Sequence, residues 1–341
     1  MKFDYVIGNP PYQISDGGAS ASAKPVYNSF VDSSKEIVKK EFCLIFPARW
    51  YAGGKGLNDF RDRILKDRHV KKLIDYKKPD DVFPNTNIRG GVCVLLWDAN
   101  FDNTESGVEV VSVEDKQTAI LHNRQLDPFN IGVFIRDFES LSILDKVSDD
   151  SFESLMDHIS SRKPFGLGGT FVKSTDFHET ENDVENPVKI FGKQKIGYTA
   201  LENIPNNKEW INRIKVFTPR ANNIGTELND DNLNAFVALN GSACTETYII
   251  IGADDDLNEE SANSIVKYLK TRFCRFLISL AKASQDASRG TYKFVPVQVF
   301  DASSDINWSK SIPEIDQQLY KKYDLNEKEV KFIEAHIKEM A

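Results

Sequence analysis

The sequence predicts an α/β fold: half of a doubly wound sheet at the amino-terminal end, followed by a second domain of mixed helices and strands. Three observations predict it. Between Phe3 and Trp97, short apolar runs alternate with amphipathic stretches in the order that builds a sheet with helices packed on it. Beyond Asp98 the texture changes to polar loops and short strands. The chain has 341 residues, more than one core ordinarily serves, so two domains are expected.

Phe3-Asp4-Tyr5-Val6-Ile7 reads as a buried strand ending at Gly8, and the Ser/Gly/Ala stretch Ser15 to Ala23 as a loop. Phe30, Ile37 and Val38 recur at roughly helical spacing within a helix over Tyr27 to Lys39. Phe42 to Phe46 is continuously apolar, as in a strand covered on both faces, and Pro47 ends it. A helix over Leu57 to Asp67 and strands over Val70 to Tyr76 and Gly91 to Trp97 complete four strands and two helices. Later, Val108 to Val113 and Ile131 to Ile135 read as strands, Ser261 to Ala283 as one long helix, and Ile312 to Tyr323 and Glu327 to Met340 as closing helices. Domain boundaries are placed at 1–105, 106–300 and 301–341.

Charged residues make up 28% and hydrophobic residues 40%, the balance of an ordinary globular protein. The net charge of -8 argues against coating nucleic acid through the overall field, so any nucleic-acid site must be a local patch. Cys43, Cys93, Cys244 and Cys274 have no paired spacing of a metal or redox site and read as reduced core residues. No run is long enough to cross a bilayer and no secretory signal opens the chain, so a cytoplasmic location is expected.

Asn9-Pro10-Pro11-Tyr12 directly follows the first strand, where active sites of open α/β sheets lie. An exocyclic amine on a flat ring is a poor nucleophile, because its lone pair is delocalised into the ring. A site makes it attack by accepting hydrogen bonds from both amine protons, and the Asn9 side-chain oxygen and the Pro10 carbonyl can do so without a titrating base. Two prolines fix their φ angles and lack donors, which holds that carbonyl rigidly. Tyr12 supplies a stacking face for a base rotated out of a duplex. The bland alternative is that Pro-Pro stops the strand and Tyr12 merely packs.

Phe3 to Gln13 resembles the catalytic motif of adenine-specific DNA methyltransferases of type II restriction-modification systems. Phe46-Pro47-Ala48-Arg49-Trp50 is similar to the family's next strand, and Val82 to Val92 to its later motif, whose aromatic contacts the flipped adenine. By that match Phe83 is the second base-contacting residue. Tyr268 to Phe273 and Lys293 to Pro296 are similar to the closing part, so the resemblance spans most of the chain, loosely in its middle. It implies a partial Rossmann-like methyltransferase sheet followed by an α+β target-recognition domain, with S-adenosyl-L-methionine as cofactor and double-stranded DNA as substrate.

The chain departs from that family's motif order. There the cofactor loop, a strand running into a Gly-rich turn, precedes the catalytic motif, whereas only eight residues precede Asn9. Ala52 to Gly56 follows a strand and precedes a helix, but no convincing acid-ended strand comes after it; Phe165 to Gly169 has no leading strand. The expectation is an incomplete cofactor site, in a fragment or split subunit whose missing strands come from a partner chain along an apolar sheet edge.

A methyltransferase also needs a surface that reads bases and grips phosphates. Residues 160–225 are the best candidate, with Arg162, Lys163, Lys193, Lys195, Arg213, Lys215 and Arg220 in Gly- and Asn-containing loops. Lys282, Ser284, Gln285 and Arg289 form a weaker second group. Other Asn-Pro-Pro-Tyr enzymes act on a glutamine amide or on ribosomal RNA, but those chains are compact and lack a long second domain. The remaining alternative is a non-catalytic DNA-binding or subunit-interaction protein that keeps the base pocket. No nuclease signature is found.

Overall fold

The computed structural model describes residues 2–14, 24–52, 56–84, 86, 88, 90–115, 118–224, 234–282 and 286–340, without the side chains of 114–120. The loop expected over Ser15 to Ala23, the glycines of Gly53-Gly54-Lys55, and Ala283, Ser284 and Gln285 lie outside those residues. Two compact units divide between Phe138 and Glu139.

The first unit runs β1 (Phe3–Gly8), β2 (Gln13–Ile14), β3 (Lys24–Pro25), α1 (Tyr27–Ile37), β4 (Val38–Pro47), α2 (Asn58–Leu65), β5 (Val70–Tyr76), β6 (Val92–Asp98), α3 (Asn103–Ser106), β7 (Val108–Asp115) and β8 (Thr118–Arg124). Six strands form one mixed sheet in the order β1-β4-β6-β5-β7-β8. β1 is parallel to β4, β6 is antiparallel to both β4 and β5, and β7 is parallel to β5. Consequently β1, β4, β5 and β7 all finish at the same end of the sheet. Because β7 and β8 extend this sheet and bury Val108 and Val110 in its core, the unit passes the boundary expected at residue 105.

The strand pattern differs from the expectation of two covered faces. Along β4, Phe42, Leu44 and Phe46 are buried while Cys43 and Ile45 between them are half-buried. The cause is that α1 and α2 pack the same face: Tyr27, Val31, Phe60 and Ile64 join Phe42, Phe46, Leu73 and Leu95 in one cluster. β1, read as a buried strand, is an edge strand with Phe3, Tyr5 and Ile7 at 47, 64 and 85% exposure. Ile131 to Ile135 is not a strand. Asp127 accepts from the amides of Ile131 and Gly132, turning the chain there, and Val133, Phe134 and Ile135 bury their side chains from an irregular segment.

α4 (Phe138–Val147) begins at the last residue of the first unit, and the second unit continues with β9 (Pro187–Gly192), β10 (Lys195–Ala200), β11 (Lys215–Pro219), β12 (Phe236–Ala238), β13 (Ser242–Cys244), β14 (Tyr248–Ile251), α5 (Glu259–Lys270), α6 (Arg272–Ala281), α7 (Ile312–Lys322) and α8 (Glu327–His336). The strands form two three-stranded sheets, β10-β9-β13 and β12-β11-β14, sharing a core of Phe165, Ile190, Phe217, Ala243 and Ile250. The single helix expected over Ser261 to Ala283 is two. Thr271 adopts extended backbone, its hydroxyl accepts from the Cys274 amide, and the Asp316 carboxylate of α7 accepts from the amides of Arg272 and Phe273. Those acceptors satisfy the amides that a break exposes at a new helix start.

Lys215, a candidate DNA contact from sequence, is fully buried in β11, its ammonium donating to the Arg213 carbonyl at 2.9 Å and lying 3.3 Å from the Ser242 hydroxyl. Buried there, it is not exposed to contact DNA. Burial lowers its pKa to about 8, partly opposed by Cys244. A lysine with a folded-state pKa below its unfolded one favours the folded state more once deprotonated. The second unit is thus expected to gain on the order of 3 kcal/mol from this group as pH rises from about 8 to about 10.5. Denaturant titrations of wild type and Lys215→Met across that window check it: the difference between the two curves should change by that amount, and a pH-independent difference contradicts it.

Candidate active site

Asn9 to Tyr12 leave the sheet at the end where β4 and β5 also finish. Pro10 is buried, Asn9 and Pro11 are exposed, and Tyr12 is half-buried. Among the described residues no donor reaches the Pro10 carbonyl, which leaves it available to an incoming amine. The Tyr12 backbone is pinned by a hydrogen bond from the Val26 amide to its carbonyl, at the base of the β2-β3 hairpin. Burial raises the Tyr12 hydroxyl above the usual phenol pKa, with the adjacent Asn9 side chain opposing the shift. It is therefore a neutral aromatic face at neutral pH.

Phe83, in the loop after β5, meets Tyr12 edge-on with ring centroids 6.5 Å apart and planes at 65°. The two aromatics singled out in sequence, which are 71 positions apart by their numbers, thus come together. Parallel β1 and β5 make this possible, because both deliver their following loops to one sheet end. Asn85, Asn87 and Arg89 of the same motif lie outside the described residues.

Asn9, Pro10 and Pro11 border a cleft of about 520 Å³ whose other walls include Ile7, Phe30 and Ile37. That volume falls within the range of about 300–1,000 Å³ typical of small-molecule sites. Tyr12 is not part of its lining. Among the described residues, the polar side chains in this cleft apart from Asn9 are the serines Ser29, Ser33 and Ser34, and no acidic side chain lines it.

The basic residues of the second unit fall into two groups. Arg162 donates twice to Glu246, at 3.0 and 2.7 Å, Lys163 stands 4.0 Å from the same carboxylate, and Arg220 donates to the Glu246 carbonyl while pairing with Asp286. Glu246 also accepts from the Gly169 amide. That backbone bond, then Arg162, holds its carboxyl below the usual glutamate pKa. Lys193 and Lys195, by contrast, sit exposed at the turn joining β9 and β10. Arg213 donates to the Ala253 carbonyl, Lys282 is buried against the carbonyls of Asn222 and Ile224, and Arg289 pairs with Asp157.

Sequence reasoning missed Glu246 and the pair Asp75–Arg136. The signal for the first was a lone acid, in Thr245-Glu246-Thr247, between two apolar strand runs. The second had none, since its members are 61 residues apart. Among the described residues no cluster of His, Cys, Asp and Glu could hold a metal ion, and no helix is long and apolar enough to cross a membrane.

Residues 1–83 match the Eco57I restriction-modification methylase family. An adenine-specific methylase of Mycoplasma pneumoniae, itself uncharacterised, is 35% identical over 104 residues, which are 30% of this chain and 25% of that protein. The chain therefore spans about a quarter of the length of that curated relative. Solved structures similar to it include the type IIL restriction-modification enzyme MmeI in complex with DNA, at 7% identity over 97% of this chain and 56% of that one, TM-score 0.44. Another is the type I restriction-modification methyltransferase subunit of Streptococcus thermophilus, at 19% identity over 36% of this chain and 30% of that one, TM-score 0.25.

Proposed function

From the match of residues 1–83 to a restriction-modification methylase family, we propose that this chain provides the acceptor half of a DNA adenine methyltransferase. The observation that carries the reading is Asn9 and a free Pro10 carbonyl at the end of β1, beside the edge-on pair Tyr12–Phe83. An everted adenine stacks on Tyr12, with Phe83 as the second base contact. Its amino group donates one hydrogen bond to the Asn9 side-chain oxygen and one to the Pro10 carbonyl, which directs the nitrogen lone pair outward for attack. No side chain needs to change its charge state to do this.

S-adenosyl-L-methionine is the methyl donor that this family implies. The described residues do not by themselves fit it, because among them the cleft beside Asn9 offers the Asn9 amide, serine hydroxyls and apolar groups, but no charged side chain, toward a ligand with a ribose diol and a charged amino-acid end. A further polypeptide segment is proposed to bring the donor side. Support comes from β1, an edge strand carrying Phe3, Tyr5 and Ile7 exposed, because apolar edges of this kind are ordinarily paired or covered.

The second unit is proposed to read DNA. Lys193 and Lys195 contact phosphates, while Glu246 orders Arg162 and Lys163, and Asp286 orders Arg220, for base edges or backbone. Because Arg220 ties two loops together, its reversal would disturb folding as well as binding, so the exposed lysines are the cleaner probe. The double variant Lys193→Glu with Lys195→Glu is expected to reduce the slope of log affinity against log salt by about 2, one per phosphate contact. Titrations of duplex DNA between low and moderate salt check it, and an unchanged slope removes both residues from the interface.

The reading is tested by expressing the chain in a methylation-free host, alone and with the product of the preceding reading frame, and mapping N6-methyladenine in the host DNA. Methylation at one sequence motif supports it. DNA binding without methylation in either strain supports instead a non-catalytic binding protein that retains the base pocket.

A further inference from the structure

The long loop between β5 and β6 carries Phe83, and one side chain from outside the motif fastens both of its ends. Arg136 places Nε and Nη2 each 2.7 Å from the two carboxylate oxygens of Asp75, near the end of β5. Its Nη1 donates to the Gly90 carbonyl at 2.9 Å, two residues before β6 begins. Asp75 is 1% exposed on a strand whose neighbouring inward positions are apolar, where an unpaired carboxylate is costly. The same guanidinium lies 5.4 Å from the Tyr51 ring in the segment after β4.

Gly91 shows how closely the loop exit is threaded. Its φ is +86°, and a Cβ there would stand 2.4 Å from the Tyr76 carbonyl oxygen and 2.8 Å from Arg136 Nη2. Its carbonyl accepts from the Ala48 amide. The segments after β4, after β5 and before β6 are thus joined at one point. Within the loop, Phe83 is held by its amide to the Pro79 carbonyl and by the Thr86 hydroxyl to its own carbonyl. A loop of this length is otherwise expected to sample many conformations, and fixing its two ends removes most of them.

We propose that Arg136, through Asp75 and the Gly90 carbonyl, is a positioning residue that sets Phe83 against Tyr12. The inference rests on the reading of these two aromatics as the base-contacting pair. Arg136 touches neither the base nor the donor. It acts by holding the rim of the pocket in one geometry, which a lysine cannot reproduce because it lacks the planar fork that bonds three acceptors at once.

Hydrogen exchange of the full chain, followed by mass spectrometry, tests the clamp without reference to activity. In Arg136→Lys, and in the isosteric Asp75→Asn should the first fold poorly, amides of residues 77–91 are expected to exchange about tenfold faster, with those inside β4 and β6 unchanged. Unaltered loop exchange in folded samples of both variants overturns the proposal. In the methyl-transfer reaction, run with the segment that brings the donor side, Arg136→Lys is expected to lower kcat about tenfold with KM for S-adenosylmethionine unchanged. The double variant with Phe83→Ala should be no slower than Phe83→Ala alone, because both act on one contact. Fully additive losses also overturn it. If the loop loosens while Tyr12→Ala and Phe83→Ala both transfer methyl at the wild-type rate, the clamp stands and the base-contacting role of the pair fails.

Discussion

Asn9→Ala is expected to lower methyl transfer about a thousandfold while leaving the fold intact, the scale found when one preorganised hydrogen-bonding group is removed from a reacting centre. The size follows from the chemistry. With the side-chain oxygen gone, one amine proton has no acceptor, and the lone pair stays delocalised into the ring in the ground state and on the way to the transition state. Asn9 is exposed, so its truncation is expected to cost the fold less than about 0.5 kcal/mol. The loss should appear in kcat, with DNA affinity nearly unchanged, since phosphate contacts dominate affinity. Asn9→Asp, which keeps an acceptor at the same position, is expected to retain more activity than Asn9→Ala. Single-turnover rates for the three proteins, each with the segment that brings the donor side, and thermal unfolding as the control, measure both parts.

Trp50→Ala is expected to destabilise the first unit by about 3–5 kcal/mol, the usual cost of emptying a buried tryptophan site. Trp50 is fully buried beneath the end of the sheet from which Asn9 to Tyr12 leave. It lies against Tyr51 at 4.8 Å, Phe60 at 5.8 Å and Phe134 at 6.4 Å between ring centroids, and its indole N–H donates to the Cys93 sulfur at 3.4 Å. No single neighbour can collapse into so large a space without moving the others. Against a typical unfolding free energy of about 5–15 kcal/mol, that loss lowers the melting temperature by roughly 10–20 °C. Trp50→Phe should recover most of it, and differential scanning fluorimetry separates the cases. A shift of only a degree or two in Trp50→Ala contradicts the packing described here.

The candidate tetrapeptide stood out in the sequence because the chemistry proposed for it is local: four consecutive residues at a strand end, each suited to one requirement. Phe83 was reachable through its motif, and the parallel arrangement of β1 and β5 explains why two distant loops meet. What stayed hidden depends on tertiary neighbours. An apolar run such as Phe42 to Phe46 does not reveal whether helices cover one face or two, and here α1 and α2 share a face. The break at Thr271 depends on Asp316, which lies in another helix, so helical periodicity alone runs straight through it. Lys215 sits in a basic, loop-rich stretch and reads as a DNA contact, yet β11 turns it into the core, where backbone carbonyls accept its hydrogen bonds. Asp75 and Arg136 are ordinary surface residue types whose pairing only the folded sheet creates.

The central claim is that the pocket at the end of β1 presents the amino group of adenine, and no other atom, for methylation. The most direct test is nucleoside mass spectrometry of DNA modified by the wild-type protein with its partner segment and by the Asn9→Ala variant. The expected product is N6-methyl-2′-deoxyadenosine from the wild type and none above background from the variant. Methyl label found on cytosine, or recovered with protein rather than DNA, or present equally in the Asn9→Ala sample, would contradict the account.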